Sequence, residues 1–354
     1  MIIALSLMCA LLTPPASAAS MTAPSASTVA PAAPIAAPSV AMLKDRFTEA
    51  VDAEEKNQVL GLIAKTTPTS GQDVAGLFDL FSRFPENPVR RAVMDSLAQI
   101  PGDSPQLEPL FLTYLKQPEP ESQLFGINGA FRLRTRAALP LIRAIAGRKF
   151  SVANASEATM MSERNAWWTQ YEALSVLAQW EGEKILPLLQ AKSLESPLIG
   201  RLLGRFFWKQ TLPNLKAWSQ EPGSLSHERA LQTVGVPIEP ADARATREGM
   251  MALLRDSKAD PELRHQIALK IGLSSTDEEV ETLIREHDGE KNAQARLYWA
   301  AAIFVSRSPK AVPLLLRYAR QTADNDMRQG ATAQLADMFG KTEAAKMIED
   351  DKKK

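Results

Sequence analysis

The sequence predicts an all-α fold made of repeated helix pairs that stack into an α-α superhelix. Three observations carry the prediction. Downstream of Lys44, apolar residues recur at helical spacing in segments of about 10 to 16 residues, punctuated by Pro, Gly, Asn and Ser. No stretch there reads as a strand. A 32-residue register relates Arg264, Arg296 and Arg328, and the apolar residues that follow each of them keep the same offsets. At 354 residues the chain exceeds what one compact core usually organises, so its length suits two domains or a repeat array.

The elements follow in chain order. The first 43 residues carry no charged side chain. Ile2 to Leu12 is continuously apolar, and Pro14-Pro15 and Ala16-Ser17-Ala18-Ala19 follow it. That order is an apolar core, a turn and a small-x-small cleavage site, which predicts a secretory signal peptide over 1–18. The apolar run is shorter than the ~20 residues a bilayer span needs. The only cysteine, Cys9, lies inside this run behind the large Met8, which argues against lipidation. After cleavage the chain would hold no disulfide, thiol nucleophile or thiolate metal site. Residues 19–42 are dominated by Ala, Pro, Ser and Thr, with prolines at 24, 31, 34 and 38, and predict a disordered linker. The folded part is expected over 43–350, in an exported, periplasmic or secreted protein without a transmembrane span.

Within the array, each of the three arginines is followed seven residues later by Ile271, Ile303 or Leu335. At offsets of 16, 19 and 20 come Val280/Leu283/Ile284, Val312/Leu315/Leu316 and Ala344/Met347/Ile348. Arg90 repeats the plan with Leu97, Leu107, Leu110 and Phe111. The first offset places two side chains on nearly one face of a first helix, and the triplet makes an apolar stripe on a second. Neither stripe can be buried alone, so neighbouring units must stack. Asn87-Pro88, Ser196-Pro197 and Asp260-Pro261 read as caps before a first-turn proline, and Thr276 with Glu279 as a capping box. Pro109, Pro140, Pro187 and Pro313 each precede an apolar pair and mark where second helices begin.

Asn87-Pro-Val-Arg-Arg-Ala, and Asp260-Pro-Glu-Leu-Arg264 with Ala268-Leu269 and Ile271-Gly272, resemble the first helix of a HEAT repeat. The Pro-Leu-Leu segments resemble its second helix. The resemblance extends over residues 45 to 350 in about nine units. It is clearest at 87–115 and 260–350, with an insertion near 237–241 and an overlong connection from Gly147 to Ser162. It implies a curved superhelix whose second helices line a concave binding surface, and it implies no reaction.

Searching for chemistry gives little. No two of the 17 glycines stand two apart, so no glycine-rich phosphate loop exists. Nucleophile-elbow, S-x-x-K and H-E-x-x-H signatures are absent. His227, His265 and His287 fall in separate segments and read as solvent-facing helix residues, which predicts no metal site. Asp324-Asn325-Asp326 lacks the rest of a calcium loop and reads as a helix cap. Gly200-x-x-x-Gly204 reads as close helix packing. These observations predict a protein that is not an enzyme and needs no cofactor.

The middle of the chain stands apart. Five of six tryptophans (167, 168, 180, 208 and 218) fall within 52 residues. Trp167 and Trp168 are adjacent, so both cannot face one core, and Tyr171 lies a turn further on. From Ser122 to Trp218 there are 13 Lys and Arg against 6 Asp and Glu, in a chain with 41 of each. Aromatic anchors beside positive charge predict a partner site comprising Trp167, Trp168, Tyr171, Arg132, Arg134, Arg136, Arg201 and Arg205. The expected function is a scaffold that binds a protein or peptide, the charge favouring an acidic one. The alternative is an anionic polymer, nucleic acid or envelope polyanion, and export argues against nucleic acid. A HEAT-fold enzyme, such as a bilin-lyase relative, has least support.

Overall fold

The computed structural model describes residues 38–149, 157–235, 243–321 and 324–352. The expected signal peptide, most of the linker and the expected insertion near 237–241 lie outside the described residues. The described residues are all-α, with no strand among them. In order, the helices are α1 (Val40–Glu49), α2 (Ala53–Ile63), α3 (Gly71–Arg83), α4 (Asn87–Ala98), α5 (Glu108–Lys116), α6 (Pro120–Arg132) and α7 (Leu139–Ala146). The middle holds α8 (Glu157–Glu181), α9 (Leu186–Glu195), α10 (Gly200–Phe206), α11 (Trp208–Trp218) and α12 (Leu225–Val234). The remainder are α13 (Ala243–Arg255), α14 (Pro261–Leu273), α15 (Asp277–Gly289), α16 (Ala293–Val305), α17 (Val312–Gln321), α18 (Asn325–Phe339) and α19 (Lys341–Lys352).

Local chemistry explains most boundaries. Ser39 caps α1 through Met42 N–H, so helix begins at Val40, three residues before the expected boundary at 43. Thr276 and Glu279 form the capping box of α15, Asp260 caps α14, and Asp324 accepts from two N–H groups opening α18. Two expected caps differ. Asn87 is the first residue of α4 and makes no cap bond, while Ser196 spends its hydroxyl on Trp167. The prolines at 109, 140, 187 and 313 fall in the first turns of α5, α7, α9 and α17, where no helical hydrogen bond is lost. A short 3-10 turn precedes each, at 105–107, 136–138, 182–185 and 309–311.

Packing is serial. Each even-numbered helix from α2 to α18 touches the next even-numbered one, and most odd-numbered helices pack on the even one that follows. Thus α15 packs more extensively on α16 than on α14, so the closest pairing crosses the boundary between sequence units. Three buried clusters succeed one another along the chain, from Val40 to Phe125, Leu115 to Phe207 and Trp208 to Ala344. The register residues Leu97, Ile271, Ile303 and Leu335 all lie in these clusters. Glycines permit two close approaches in the even row. A Cβ on Gly200 would stand 2.7 Å from Arg229 O across α10 and α12, and Gly272 lets α14 approach α16.

The register arginines have a structural use. Buried Arg264 donates from Nε and Nη2 to Leu254 O at 3.0 and 2.8 Å, in the last turn of α13. Arg296 does the same to Glu290 O, the C-cap residue of α15. Carbonyls at a helix C-terminus lack intrahelical donors and carry partial negative charge, so a guanidinium satisfies both needs. Arg328, in the last unit, is exposed and donates to Asn325 Oδ1.

The histidines correct the sequence reading. His265 is exposed, but His227 and His287 are buried. His227 Nδ1 accepts from Gly223 N–H at 3.4 Å, which leaves Nε2–H to donate to Asp260 Oδ1 at 3.2 Å. His287 bonds Asp288 Oδ1 through Nδ1 and the Tyr318 hydroxyl through Nε2, both at 2.9 Å. One partner of each, Asp260 and Tyr318, comes from a neighbouring element, which a single helix's polarity pattern does not reveal.

Candidate functional site

The rotation of α8 fixes the site. Thr169 Oγ donates to Pro120 O, and Gln170 Nε2 donates to Ala146 O and Arg148 O. These buried groups grip the start of α6 and the end of α7, while Ala173, Leu174 and Leu177 continue the same face into the core. The opposite face therefore carries Arg164 and Trp168 outward, one helical turn apart.

Trp168 is 46% exposed. Its ring stacks on Tyr171, with centroids 5.6 Å apart and planes 14° from parallel. Trp167 stacks on the same Tyr171 at 5.3 Å and 27°, and its indole N–H donates to Ser196 Oγ at 3.0 Å. Trp167 thus packs inward and Trp168 outward, as adjacency requires. Leu194 and Leu198 flank Ser196 in the chain and are 46% and 38% exposed.

Arg201 and Arg205 reach this patch from α10. They are exposed, one turn apart, and close enough that both charges act on the Tyr171 phenol. Burial and the neighbouring Glu172 push that phenol up, and the two arginines pull it back. Burial likewise pushes the Glu172 carboxyl up, with Arg205 offsetting part of the effect. Arg201 Nε donates to Gln232 Oε1 at 2.8 Å, and the Arg205 guanidinium lies 5.2 Å from the Phe206 ring.

The other three arginines expected here lie elsewhere and do structural work. Arg136 donates to Trp180 O at 3.4 Å and covers the Trp180 ring at 5.4 Å. Trp180 is twelve residues beyond Trp168 on α8, about 18 Å at 1.5 Å per residue. Arg132 donates to Ile100 O at 2.6 Å, clasping the chain just past α4 as Arg264 clasps α13. Arg134 adopts φ +55°, the left-handed geometry that ends α6, and Arg307 repeats it at the same place before the α17 turn. Part of the local positive charge is therefore consumed by folding. The remaining tryptophans are structural too. Trp180 stacks on Phe131, Trp208 is buried, and Trp218 lies 3.7 Å beneath the Arg229 guanidinium.

Sequence reasoning missed the exposure of Leu194 and Leu198 and the places of Arg164 and Glu172 beside the aromatic stack. Leucines in a helical apolar pattern carry no mark of exposure, whereas Arg164 could have been found from its i, i+4 spacing to Trp168. Among the described residues no cluster of three or more His, Cys, Asp or Glu could hold a metal ion, and no helix is long and apolar enough to cross a membrane. Neither a scan against protein-family models nor a search of curated proteins finds a match to this chain.

Proposed function

We propose that this chain is an exported, non-enzymatic scaffold, a HEAT-like α-solenoid that binds a protein or peptide through the surface around Trp168. The unbroken row of even-numbered helices, the serial cores and the arginine clasps support the solenoid reading. The binding reading is carried by one observation: a large aromatic side chain, stacked on Tyr171, is held 46% exposed to solvent. Leaving such area wet forfeits stabilisation of about 25 cal/mol per Å2, and tryptophan is enriched at interface hot spots. The patch is carried chiefly by the first helices α8 and α10, where the HEAT resemblance would favour second helices.

The test is capture by the mature chain as bait, followed by affinity measurement on the captured partner. Trp168→Ala should weaken binding by about 2 kcal/mol, roughly 30-fold, with helicity and melting temperature nearly unchanged. A lower melting temperature with unaltered affinity would return Trp168 to a packing role and remove the site.

A further inference from the structure

We infer that α15 is a charge-seated helix, held between α13 and the α17 unit by four ion pairs, and that ionic strength opens the odd-numbered row around it while the even-numbered row stays closed. The placement of charge on α15 carries this. Glu279 and Glu286, seven residues apart, lie on one side of the helix, and Glu281 and Asp288, also seven apart, lie on the other. Between the two sides runs the buried stripe of Val280, Leu283 and His287. The first two carboxylates meet α13: Arg247 Nε stands 3.4 Å from Glu279 Oε1, and Arg255 donates to Glu286 from Nε and Nη2 at 3.2 and 2.5 Å. The other two meet the following unit, with Lys310 Nζ 2.7 Å from Glu281 Oε1 and Arg317 Nη2 2.8 Å from Asp288 Oδ1. In these pairs every acid belongs to α15 and every base to a neighbour.

The two rows are held by different forces. In the even row, α14 and α16 meet backbone to backbone at Gly272, where a Cβ has no room. In the odd row, α13 and α17 approach the α15 backbone only slightly, and the 309–311 turn makes the closer contact. A groove of about 720 Å3 lies open beside the Arg255–Glu286 pair. Two further bonds span these flanks, from Arg247 Nη2 to Ser275 Oγ at 2.7 Å and between His287 Nε2 and the Tyr318 hydroxyl at 2.9 Å. Apart from Arg247, each of the eight paired side chains is at least 31% exposed. Salt screens exposed pairs of this kind, and it leaves a buried backbone contact intact. Screening therefore loosens α15 on both flanks at once, with its apolar stripe still seated.

The experiment is pulsed electron–electron resonance on the full chain carrying Cys9→Ser, which removes its one native cysteine. Spin labels at the exposed positions Ala252→Cys and Lys346→Cys report the odd row from α13 to α19. Labels at His265→Cys and Thr332→Cys, also exposed, report the even row from α14 to α18. Distances are compared at about 0.01 M and about 1 M NaCl, between which the Debye length falls from about 30 Å to about 3 Å. The odd-row distance should lengthen and its distribution broaden in high salt, with the even-row distance unchanged. Glu279→Gln, Glu281→Gln, Glu286→Gln and Asp288→Asn combined should show the long odd-row distance at both salts with unchanged helicity by circular dichroism, since glutamine also completes a capping box with Thr276. Should that variant not fold, a charge exchange decides. Glu281→Lys alone should lengthen the odd-row distance at low salt, and adding Lys310→Glu should restore it. An odd-row distance indifferent to salt would overturn the inference. So would equal lengthening of both rows, a neutralised variant that still responds to salt, or a charge exchange that restores nothing.

Discussion

One methyl group tests the closeness of the helix row. Gly272 lies near the end of α14, facing α16. A Cβ there would stand 2.5 Å from Val305 Cγ2 and 2.8 Å from the Ala302 carbonyl carbon, and closer still to the Ala302 oxygen. The valine methyl can rotate away, but the carbonyl belongs to the backbone of α16 and cannot. Comfortable carbon contacts begin near 3.5 Å, so α16 would have to retreat by about 0.7 Å or more. Two effects of opposite sign then compete. Alanine favours helix over glycine by about 0.8–1.0 kcal/mol, whereas forcing extra volume into a packed contact costs about 1–3 kcal/mol. The immovable backbone partner places Gly272→Ala toward the costly end, for a net loss of about 1–2 kcal/mol. Gly61→Ala in α2 is the control, because its Cβ would meet nothing within 4 Å and only the helix term remains. Urea unfolding followed by circular dichroism should move the midpoint down for Gly272→Ala and up for Gly61→Ala, with m-values compared to detect uncoupling of the array. Equal upward shifts in both would refute a close approach of α14 to α16.

Three further outcomes follow from the packing. Arg264→Met should cost about 2–3 kcal/mol by leaving Leu254 O buried without its donor, whereas Arg328→Met, at the same register position but exposed, should stay within about 0.5 kcal/mol in the same urea assay. Trp208→Ala should cost about 3–5 kcal/mol by calorimetry or denaturant, unlike Trp168→Ala, since Trp208 is only 3% exposed. His287 is held below its ordinary value of 6.5 mainly by burial, with Asp288 partly offsetting the effect, so the unfolded chain takes up a proton that the folded chain resists. Stability from this group is present above pH 6.5 and lost as pH falls below it. His287→Gln should therefore flatten the decline of the urea midpoint between pH 7.5 and 5, and parallel profiles would contradict the assignment.

Much of the fold could be read from the chain because its causes are local. A cap at Asp260 or Asp324, the box of Thr276 and Glu279, and first-turn prolines at 109, 140, 187 and 313 act across three or four residues. Two members of the 32-residue register, Arg264 and Arg296, play one role, each donating to a carbonyl at the C-terminal end of the preceding odd-numbered helix. Adjacency also required one of Trp167 and Trp168 to lie near the surface, and Trp168 does.

What the sequence could not decide was the partner of each side chain. Arg132 and Arg205 both read as cations of one basic block, yet one is spent on a carbonyl 32 residues away and the other remains unpaired among the described residues. The histidines at 227 and 287 looked solvent-facing because Asp260, the cap of α14, and Tyr318, on α17, which bond them, come from other elements. The site divided for the same reason. A helix of 25 residues separates Trp168 from Trp180 by more than three turns, while folding brings Arg201, 33 residues on, back beside Tyr171. Helix positions are set by bonds a turn apart. Whether a charge binds a partner or closes a helix end is set by which carbonyl or carboxylate packing delivers to it, and that is a property of the tertiary structure alone.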